Sequence, residues 1–320
     1  MPSTEAESII NVAVGVLEDV AGRVLIGQRA GDRPYSGLWE FPGGKLEPGE
    51  SVTDALAREY QEELGVQVHT SQPLLSFVFA YPEYTVRLHV LRITKYSGEP
   101  RGLEGQAIDW VALDQLGEHD MLVACPPIIA ALSLPRIYAI TAASVMGEEA
   151  MLRGLERQLK KGLKLVQVRE KKMDSQAYEQ FATEVIHRCH EYSAKVLLNG
   201  EVDLVEGLGA DGLHLDGPKL DAMGQRPIAD SLWLSASCHN EAELAKACAL
   251  GVDFAVLSPV LPTQTHPGAK TLGWEGFHGL IKDIPMPVYA LGGMSTGMVE
   301  QAQDNGAQGV AMMRGLWEEI

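Results

Sequence analysis

Three glutamates are spaced so that a helix would carry them on one face. Glu59, Glu62 and Glu63 lie at positions i, i+3 and i+4, which are neighbours on a helix surface. Like charges this close oppose helix formation unless a cation offsets them. Magnesium prefers hard oxygen ligands, so the spacing indicates a site for Mg²⁺, with Mn²⁺ as the alternative. A solvated acidic helix face has the same pattern, so the spacing alone leaves both interpretations open.

The residues next to these glutamates fit a phosphate site better than a plain acidic face. Arg58 and Glu62 are four residues apart, so an ion pair would orient the carboxylate. Pro42, Gly43 and Gly44 predict a turn before the helix. Such a turn brings backbone groups close to a helix start, where anions are favoured.

The stretch from Gly44 to Val66 resembles the signature of the Nudix family at every fixed position. The one departure is Tyr60, where the family usually has an aliphatic residue, and we expect this change to affect packing only. The resemblance implies that the carboxylates of Glu59, Glu62 and Glu63, together with the carbonyl of Gly43, bind magnesium. The family hydrolyses phosphoanhydrides.

Further segments are similar to the MutT-type branch of that family, namely Arg29 to Asp32, Trp39 to Lys45 and Leu103 to Gln106. The resemblance implies that Glu104 binds a second metal ion or acts as the base. It also implies that Arg29 holds phosphate, that Phe41 lines the base pocket and that Lys45 contacts substrate. Such enzymes direct water at a phosphorus atom and release pyrophosphate and a nucleoside monophosphate.

The residue that would read the base differs from the family pattern. MutT-type enzymes that remove 8-oxo-dGTP usually carry Asn in an Ala-Asn-x-Pro segment, where this chain has Ala124-Cys125-Pro126. A thiol lacks the paired donor and acceptor of an amide. Loss of a residue that recognises the base lowers discrimination between substrates, while the chemical step is kept. We therefore expect conversion of 8-oxo-dGTP to 8-oxo-dGMP, a nucleotide-pool reaction linked to DNA repair, with Cys125 in the pocket.

The second half places basic residues at the end of an apolar run. Gln167, Arg169 and Lys171 alternate along the chain, so on a strand they share one face. Eight short apolar runs alternate with helical segments between residues 137 and 312, which predicts a closed parallel barrel. The carboxyl ends of barrel strands carry functional residues, although a basic surface strand end is the alternative.

Several segments of this half resemble thiamine-phosphate synthase and its TenI-type relatives over residues 136–317. The segments are Gln167 to Lys171, Leu198 to Gly200, Gly212 to Leu215, Ser235 to His239, Ser258 to Thr265 and Ala290 to Gly293. The resemblance implies a phosphate-binding barrel that takes a thiazole or thiamine phosphate. Its implied substrate-binding residues are Gln167, Arg169, Lys171, Asn199, Ser237, Thr263, Thr265, Gly293 and Arg314.

This half also departs from the synthase pattern. Gly200 stands where the synthase has the Asp of an Asn-Asp pair, and its second acidic metal ligand falls near Lys219. The Lys of its Thr-x-Thr-Lys motif is replaced by His266. These changes argue against binding a magnesium pyrophosphate. Arg314 follows the last strand and offers one replacement phosphate contact.

His239 is similar in placement to the histidine that TenI-type proteins use to isomerise a thiazole phosphate carboxylate. A histidine near its normal pKa suits proton transfer, and a capping or structural role is the alternative. The barrel is thus expected to be degenerate as a synthase, leaving a tautomerase-like activity or a regulatory, sensing role. A further alternative is a thiamine-linked bifunctional enzyme whose Nudix half hydrolyses a thiamine pyrophosphate analogue.

The elements needed to position these residues can be predicted from the pattern. Ser51 to Leu64 predicts a helix with Ser51 as N-cap and Gly65 as its stop, and Ile9–Leu17 with Arg23–Gln28 predicts a hairpin. The expected fold is α/β. An α/β/α Nudix domain with a mixed sheet over residues 1–132 precedes a linker at 133–135 and a (β/α)8 TIM barrel over 136–320.

Composition limits the partners. The formal net charge is −17, and duplex nucleic acid needs basic surface, so we expect small-molecule nucleotide substrates and no nucleic acid duplex. No apolar run reaches the length of a membrane span, and no export signal is evident, so we expect a cytoplasmic protein without membrane contact. The four cysteines show no metal-binding or disulfide spacing. The oligomeric state is left open.

Overall fold

The computed structural model describes residues 9–31, 34–263, 268 and 270–317. The chain forms two compact units, residues 1–133 and residues 134–320, called unit 1 and unit 2 below. Within the described residues, no helix combines the length and the apolar character needed to cross a membrane.

Unit 1 combines two small sheets with two α-helices. Its strands are β1 (Ile10–Leu17), β2 (Val24–Gln28), β3 (Trp39–Glu40), β4 (Gly43–Lys45), β5 (Gln67–Ala80), β6 (Thr85–Ser97) and β7 (Ile108–Val111), and its helices are α1 (Val52–Leu64) and α2 (Pro126–Ser133). One sheet has the order β4-β1-β6-β5 and the other β3-β2-β7. Strand β1 is parallel to β6 and antiparallel to β4. The mixed sheet expected for the Nudix half is therefore confirmed.

Helix α1 begins and ends where the sequence predicts. The Ser51 hydroxyl accepts a hydrogen bond from the Asp54 amide at 3.2 Å, and Gly65 ends the helix in the left-handed conformation with φ of 68°. A side-chain cap satisfies an amide that the helix leaves unpaired, and glycine takes this conformation without strain. The buried face of α1 includes Leu56 and Tyr60, which pack with Leu17 of β1.

The predicted hairpin of β1 and β2 is wrong in its pairing. The tight turn exists, because the Asp19 amide donates to the Arg23 carbonyl at 2.9 Å. Within the described residues, the two strands are joined by the Glu18–Val24 bridge alone. Both edges of β1 are already occupied by β4 and β6, so β2 leaves for the second sheet and pairs there with β3 and β7.

The predicted Gly43-Gly44 turn is also wrong, because these residues begin strand β4. Gly43 pairs with Val14, and Gly44 pairs with Ala13. At Gly43, where φ is 154°, a β-carbon would lie 2.1 Å from the carbonyl oxygen of Ala13. Glycine is therefore needed for close approach to β1 rather than for a turn.

Unit 2 is a closed barrel of eight parallel strands, as predicted. The strands are β8 (Ile137–Ile140), β9 (Leu165–Val168), β10 (Lys195–Leu198), β11 (Gly212–Leu215), β12 (Trp233–Cys238), β13 (Phe254–Leu257), β14 (Val288–Leu291) and β15 (Gly309–Met312). The helices are α3 (Ala143–Met146), α4 (Glu148–Lys160), α5 (Ser175–Glu191), α6 (Val202–Leu208), α7 (Gly217–Ala222), α8 (Glu241–Ala249), α9 (Gly273–Ile281), α10 (Val299–Asp304) and α11 (Arg314–Trp317).

The barrel interior is filled by side chains. Tyr138, Phe254 and Tyr289 are fully buried, with ring centroids 5.3 to 5.6 Å apart. Polar side chains of Gln167, His214 and Ser235 are buried as well. Because all eight strands are parallel, the residues that follow each strand lie at one end of the barrel, which is where barrel proteins carry their sites. We call this end the barrel mouth.

Candidate functional sites

Arg58 connects three carboxylates and one carbonyl beside helix α1. Its guanidinium donates to both oxygens of Glu50 at 2.9 and 3.0 Å, to Glu59 at 2.8 Å and to Glu62 at 3.3 Å. It also donates to the Lys45 carbonyl at 3.0 Å. The Glu50 and Glu59 carboxylates raise the pKa of Arg58, and Arg58 lowers the pKa of Glu50. The predicted Arg58–Glu62 pair is thus present, and it is one part of a larger network.

Glu59 lies against the backbone of strand β4. A β-carbon on Gly44 would come within 2.2 Å of the Glu59 carboxylate, and the Glu59 side chain is only 15% exposed. Any larger residue at position 44 would displace this carboxylate. The Nudix motif therefore needs glycine here for a specific reason, which is the close contact between β4 and Glu59.

The loop that carries Glu104 is attached to the end of helix α1. The Gln106 side chain donates to the Glu63 carbonyl at 3.0 Å and accepts from the Glu104 amide at 2.8 Å. The Leu103 amide donates to the same Glu63 carbonyl at 2.9 Å. A helix leaves its last carbonyls without internal partners, and this loop satisfies one of them while it holds Glu104 near the helix.

A cavity of about 230 Å³ lies between these segments. Its lining includes Glu63 of α1, Glu104 of the following loop, and Gln28, Arg29 and Glu40 from the β2 and β3 strands. Four separate stretches of sequence therefore meet around one opening. Two of the predicted metal ligands and the predicted phosphate ligand Arg29 lie on its wall.

Arg29 already has a carboxylate partner. It donates to both oxygens of Glu40 at 2.8 and 2.7 Å, and to the Pro34 carbonyl at 3.2 Å. Sequence reasoning missed Glu40, although it lies within the segment Trp39 to Lys45 that carries the family resemblance. Both bonds to Glu40 come from Arg29 Nη1, and together with the bond from Nε to the Pro34 carbonyl they orient the guanidinium on the cavity wall.

The predicted base-pocket residues lie in the core behind the cavity. Phe41 and Cys125 are each 3% exposed and belong to one hydrophobic cluster. Burial raises the pKa of the Cys125 thiol to about 12, while a hydrogen bond with the Phe41 backbone opposes that rise. Cys125 therefore remains a neutral thiol. Lys45 is exposed.

The donor set of unit 1 suits a hard divalent cation, since carboxylates and a backbone carbonyl offer oxygen alone. Glu59 lies beside β4, whereas Glu63 and Glu104 line the cavity, and Glu62 is 59% exposed. Within the described residues, no three His, Cys, Asp or Glu side chains form a ready metal-binding group. The ligand set predicted from the motif thus remains a prediction.

At the barrel mouth the structure brings the predicted residues of unit 2 together at the strand ends. Arg169 and Lys171 follow β9, Asn199 follows β10, and Ser237 is the second-to-last residue of β12. Thr263, Gly293 and Arg314 follow β13, β14 and β15, respectively, and all three are among the described residues. Asp32, Thr265 and His266 lie outside the described residues.

A chain of polar side chains crosses the barrel interior below the mouth. Gln167 donates to the Tyr138 hydroxyl at 3.0 Å, and this hydroxyl lies 3.3 Å from His214 Nδ1. His214 also contacts the hydroxyls of Ser235 at 2.6 Å and Ser237 at 2.8 Å. Burial, followed by the charge of Arg169, lowers the pKa of His214 to about 3. The histidine is therefore neutral and donates through one nitrogen while accepting through the other.

Sequence reasoning named Gln167 and Ser237 as substrate-binding residues and did not single out Tyr138, His214 or Ser235. The segment Gly212 to Leu215 was recognised only as part of the family pattern. The alternation of Ser235 and Ser237 along one strand offered a usable signal, because residues two apart share a face.

His239 has a fixed tautomer at the mouth. Its Nδ1 lies 2.8 Å from the Ser258 carbonyl oxygen, which can only accept, so Nδ1 carries the proton and Nε2 is the acceptor. The His239 backbone amide donates to Glu243 at 2.7 Å. An imidazole held in this way can take a proton through Nε2.

Two lysines bridge neighbouring loops at the mouth. Lys171, after β9, binds the Asp216 carboxylate after β11 at 2.7 Å. Lys219 of α7 contacts the Gly200 carbonyl and binds the Glu201 carboxylate at 2.9 Å. The Lys219 ammonium thus joins positions 200 and 219, where the sequence departs from the synthase pattern.

The glycines after β14 are explained by loop packing. A β-carbon on Gly293 would lie 2.8 Å from Leu261 Cβ and from the Pro262 carbonyl. The Val260 amide donates to the Leu291 carbonyl at 2.9 Å, which joins the loops after β13 and β14. The proposed phosphate contact of Gly293 remains a prediction.

Family comparisons agree with this division of the chain. The model of thiamine monophosphate synthase matches residues 137–316, and the NUDIX domain model matches residues 9–131. A putative thiamine-phosphate synthase 2 of Aquifex aeolicus is 33% identical over 180 residues, which cover 56% of this chain and 96% of that protein. A thiamine-phosphate synthase of Synechocystis sp. is 34% identical over 172 residues, 53% of this chain and 50% of that protein.

Two solved structures align with parts of the chain. A thiamine phosphate pyrophosphorylase from Pyrococcus furiosus aligns with a TM-score of 0.50 and 23% identity, covering 57% of this chain and 88% of that one. That likeness shows the barrel fold alone. A MutT structure, from work on Aliivibrio salmonicida and Vibrio cholerae, aligns with a TM-score of 0.34 and 30% identity, covering 38% of this chain and 94% of that one.

Proposed function

The chain belongs to the thiamine monophosphate synthase family and carries a NUDIX hydrolase domain ahead of its barrel, and from this premise we propose that unit 1 hydrolyses a nucleoside triphosphate to a nucleoside monophosphate and pyrophosphate. We propose 8-oxo-dGTP as its preferred substrate and Mg²⁺ as its cofactor, with Mn²⁺ able to replace it. The cytoplasm is the proposed location, where such nucleotides form.

One observation carries this proposal. Glu63, Glu104, Arg29 and Glu40 come from separate segments and line one cavity of about 230 Å³. The cavity adjoins helix α1, whose Arg58 network holds Glu59 beside the β4 backbone. A cleft that joins converging carboxylates to an arginine suits a phosphorylated substrate bound through a cation.

Each residue has a proposed role. Glu59, Glu62, Glu63, Glu104 and the Gly43 carbonyl would hold the metal. A bound divalent ion supplies charge neutralisation on the bridging phosphates and lowers the pKa of the attacking water. Arg58 orients the Glu59 and Glu62 carboxylates, with which it forms hydrogen bonds. Glu104 is the alternative general base, Arg29 and Lys45 bind phosphate oxygens, and Phe41 with Cys125 borders the base.

The test is a steady-state comparison of 8-oxo-dGTP with dGTP on the full chain, with the phosphorus products identified. We expect nucleoside monophosphate and pyrophosphate in both cases, and a higher kcat/KM for 8-oxo-dGTP. Equal kcat/KM values would reject the oxidised-base preference. Release of inorganic phosphate in place of pyrophosphate would reject the reaction itself.

For unit 2 we propose a phosphate-binding barrel with tautomerase-like chemistry on a thiazole phosphate. The supporting observation is the fixed tautomer of His239, whose Nδ1 is engaged by the Ser258 carbonyl at 2.8 Å. Its Nε2 would move the proton. The loss of acidic residues at positions 200 and 219 disfavours synthase activity at the same mouth.

Two measurements separate this role from sensing. Thiazole phosphate carboxylate is incubated with the full chain and with His239→Asn, and its ring isomer is followed by nuclear magnetic resonance. Isomerisation by the parent chain but not by the His239→Asn variant supports the tautomerase activity. If thiazole phosphate instead changes only the nucleotide hydrolysis rate, the barrel is a sensor, and hydrolysis of a thiamine pyrophosphate analogue would favour the bifunctional alternative.

A further inference from the structure

The Lys219 ammonium joins two loops at the barrel mouth where opposite charges meet. It contacts the Gly200 carbonyl after β10 and the Glu201 carboxylate at 2.9 Å. The Lys219 side chain is 31% exposed. An ammonium has three donors, and the two loop contacts leave one for a ligand.

Two further basic residues follow strand β9, namely Arg169 and Lys171. Lys171 binds Asp216 at 2.7 Å. Burial is the main cause that lowers the pKa of His214; Arg169 and Lys171 lower it further, and Asp216 raises it, so charges at the mouth act on the barrel interior. The carboxylates of Asp216 and Glu201 each have a lysine partner.

These residues do not fit a divalent metal at the mouth. Gly200 offers a backbone carbonyl where the related synthases have a carboxylate, and that carbonyl is bound by Lys219. The nearby acids Asp216 and Glu201 are both in ion pairs.

We propose that unit 2 binds a phosphorylated ligand without a divalent cation, and that the Lys219 ammonium supplies the positive charge in its place. Lys171 and Arg169 provide further contacts to the phosphate oxygens. This inference rests on the phosphate-binding function proposed above for the barrel. It separates the two halves of the chain, because hydrolysis in unit 1 depends on metal and binding in unit 2 does not.

The probe is inorganic pyrophosphate, titrated by calorimetry into the full chain in EDTA and again in Mg²⁺. The chain carries Glu59→Gln and Glu62→Gln, which remove two proposed metal ligands from unit 1. We expect binding in EDTA and a Kd that Mg²⁺ changes by less than about twofold. Lys219→Gln should weaken binding roughly tenfold, since charge-assisted hydrogen bonds to phosphate are the strong ones, and Lys219→Arg should keep most of it.

Lys164→Gln is the matched control. Lys164 also donates to a carbonyl, that of Tyr192 at 2.6 Å, but it precedes β9 and lies at the other end of the barrel. Equal weakening of pyrophosphate binding by Lys219→Gln and Lys164→Gln would show that Lys219 only connects two loops, and it would overturn the proposal. Binding that requires Mg²⁺ would overturn it and leave phosphate binding intact. An absence of binding under both conditions would reject the phosphate-binding function as well.

A charge reversal gives a second test. Gly200→Asp with Lys219→Asp introduces two carboxylates. The new side chain at position 200 must pass the Tyr178 hydroxyl, because a β-carbon there would lie 3.2 Å from it. We expect this variant to bind pyrophosphate only when Mg²⁺ is added. Unchanged, metal-independent binding by the double variant would show that the charge at position 219 is irrelevant.

Discussion

Both units bring acidic and basic side chains together, but they use opposite arrangements. In unit 1 a single arginine, Arg58, is surrounded by three carboxylates, those of Glu50, Glu59 and Glu62. At the barrel mouth two carboxylates are each held by a lysine. Several carboxylates around one arginine favour an added cation, whereas carboxylates that are each paired with a lysine do not. The difference predicts metal dependence in unit 1 and none in unit 2.

The largest expected effect comes from removing a carboxylate from unit 1. Glu59→Gln should lower nucleotide hydrolysis by on the order of a hundredfold to a thousandfold, the cost of losing one group that stabilises transition-state charge. Pyrophosphate binding by unit 2 should not change. Glu47→Gln, at an exposed position of the same motif, is the control and should keep its activity. Equal rates of nucleotide hydrolysis for the two variants would contradict the metal dependence proposed for unit 1, and with it the contrast between the two units.

The next effect concerns the packing that holds α1 in place. The Tyr60 hydroxyl donates to the Gly15 carbonyl at 2.7 Å, and a β-carbon on Gly15 would lie 2.4 Å from the Tyr60 ring. Gly15→Ala should therefore destabilise unit 1 by about 2 kcal/mol through overpacking. Chemical denaturation of the full chain measures this value.

The double variant Gly15→Ala with Tyr60→Leu sharpens that result. Leucine, an aliphatic residue as in the family pattern, frees the space that the new methyl group needs. The double variant should lose less stability than the two single variants added together, by about 1 kcal/mol. Simple additivity would mean that Tyr60 and Gly15 are not coupled, and that α1 is held by other contacts.

A pH effect should appear in unit 2 through His214. Its pKa is about 3 in the folded protein, against an ordinary value of 6.5, so the unfolded chain binds a proton first as the pH falls. The stability is therefore present above about pH 6.5 and is lost as the pH drops towards 3, by up to about 1.4 kcal/mol per unit. Denaturation of His214→Gln at pH 7 and pH 5 should show a smaller loss than the parent chain.

The control for this pH effect is His187→Gln. His187 lies on the exposed side of α5, with 71% of its side chain accessible. Its replacement should leave the pH dependence of unfolding unchanged. A similar change in both variants would assign the acid sensitivity to general charge effects and not to the buried polar chain of the barrel.

The smallest expected effect is on base selection in unit 1. Cys125→Asn restores an amide at the position where related enzymes read a purine edge, and we expect the kcat/KM ratio of 8-oxo-dGTP to dGTP to rise about fivefold. Cys125→Ala serves as the comparison and should leave the ratio near that of the parent chain. A fall in the ratio for Cys125→Asn would indicate that the thiol itself contributes to selection.

The parts of the fold that the sequence predicts are those with local causes. The limits of α1 follow from Ser51 and Gly65, each of which acts within one turn of the helix. The eight barrel strands follow from repeated apolar runs. The pairing of β2 and the role of Gly43 could not be predicted in this way, because they depend on which edge of β1 another strand already occupies.

The same distinction applies to the sites. The carboxylates of α1 lie on one helix, so their spacing in the sequence already indicates that they are neighbours. Glu40 and Lys219 acquire their roles only through partners distant in sequence, Arg29 for one and Gly200 for the other. A contact between residues far apart in sequence produces no periodic pattern from which it could be predicted.

The attachment of the Glu104 loop to α1 limits how this domain can be redesigned. Gln106 links the Glu63 carbonyl to the Glu104 amide, so the length of residues 102–106 is set by the end of the helix. Insertions within this loop would be poorly tolerated, unlike those in an ordinary surface loop. An engineer who transfers the acidic loop to another Nudix scaffold should therefore transplant residues 61–65 with it, as one unit.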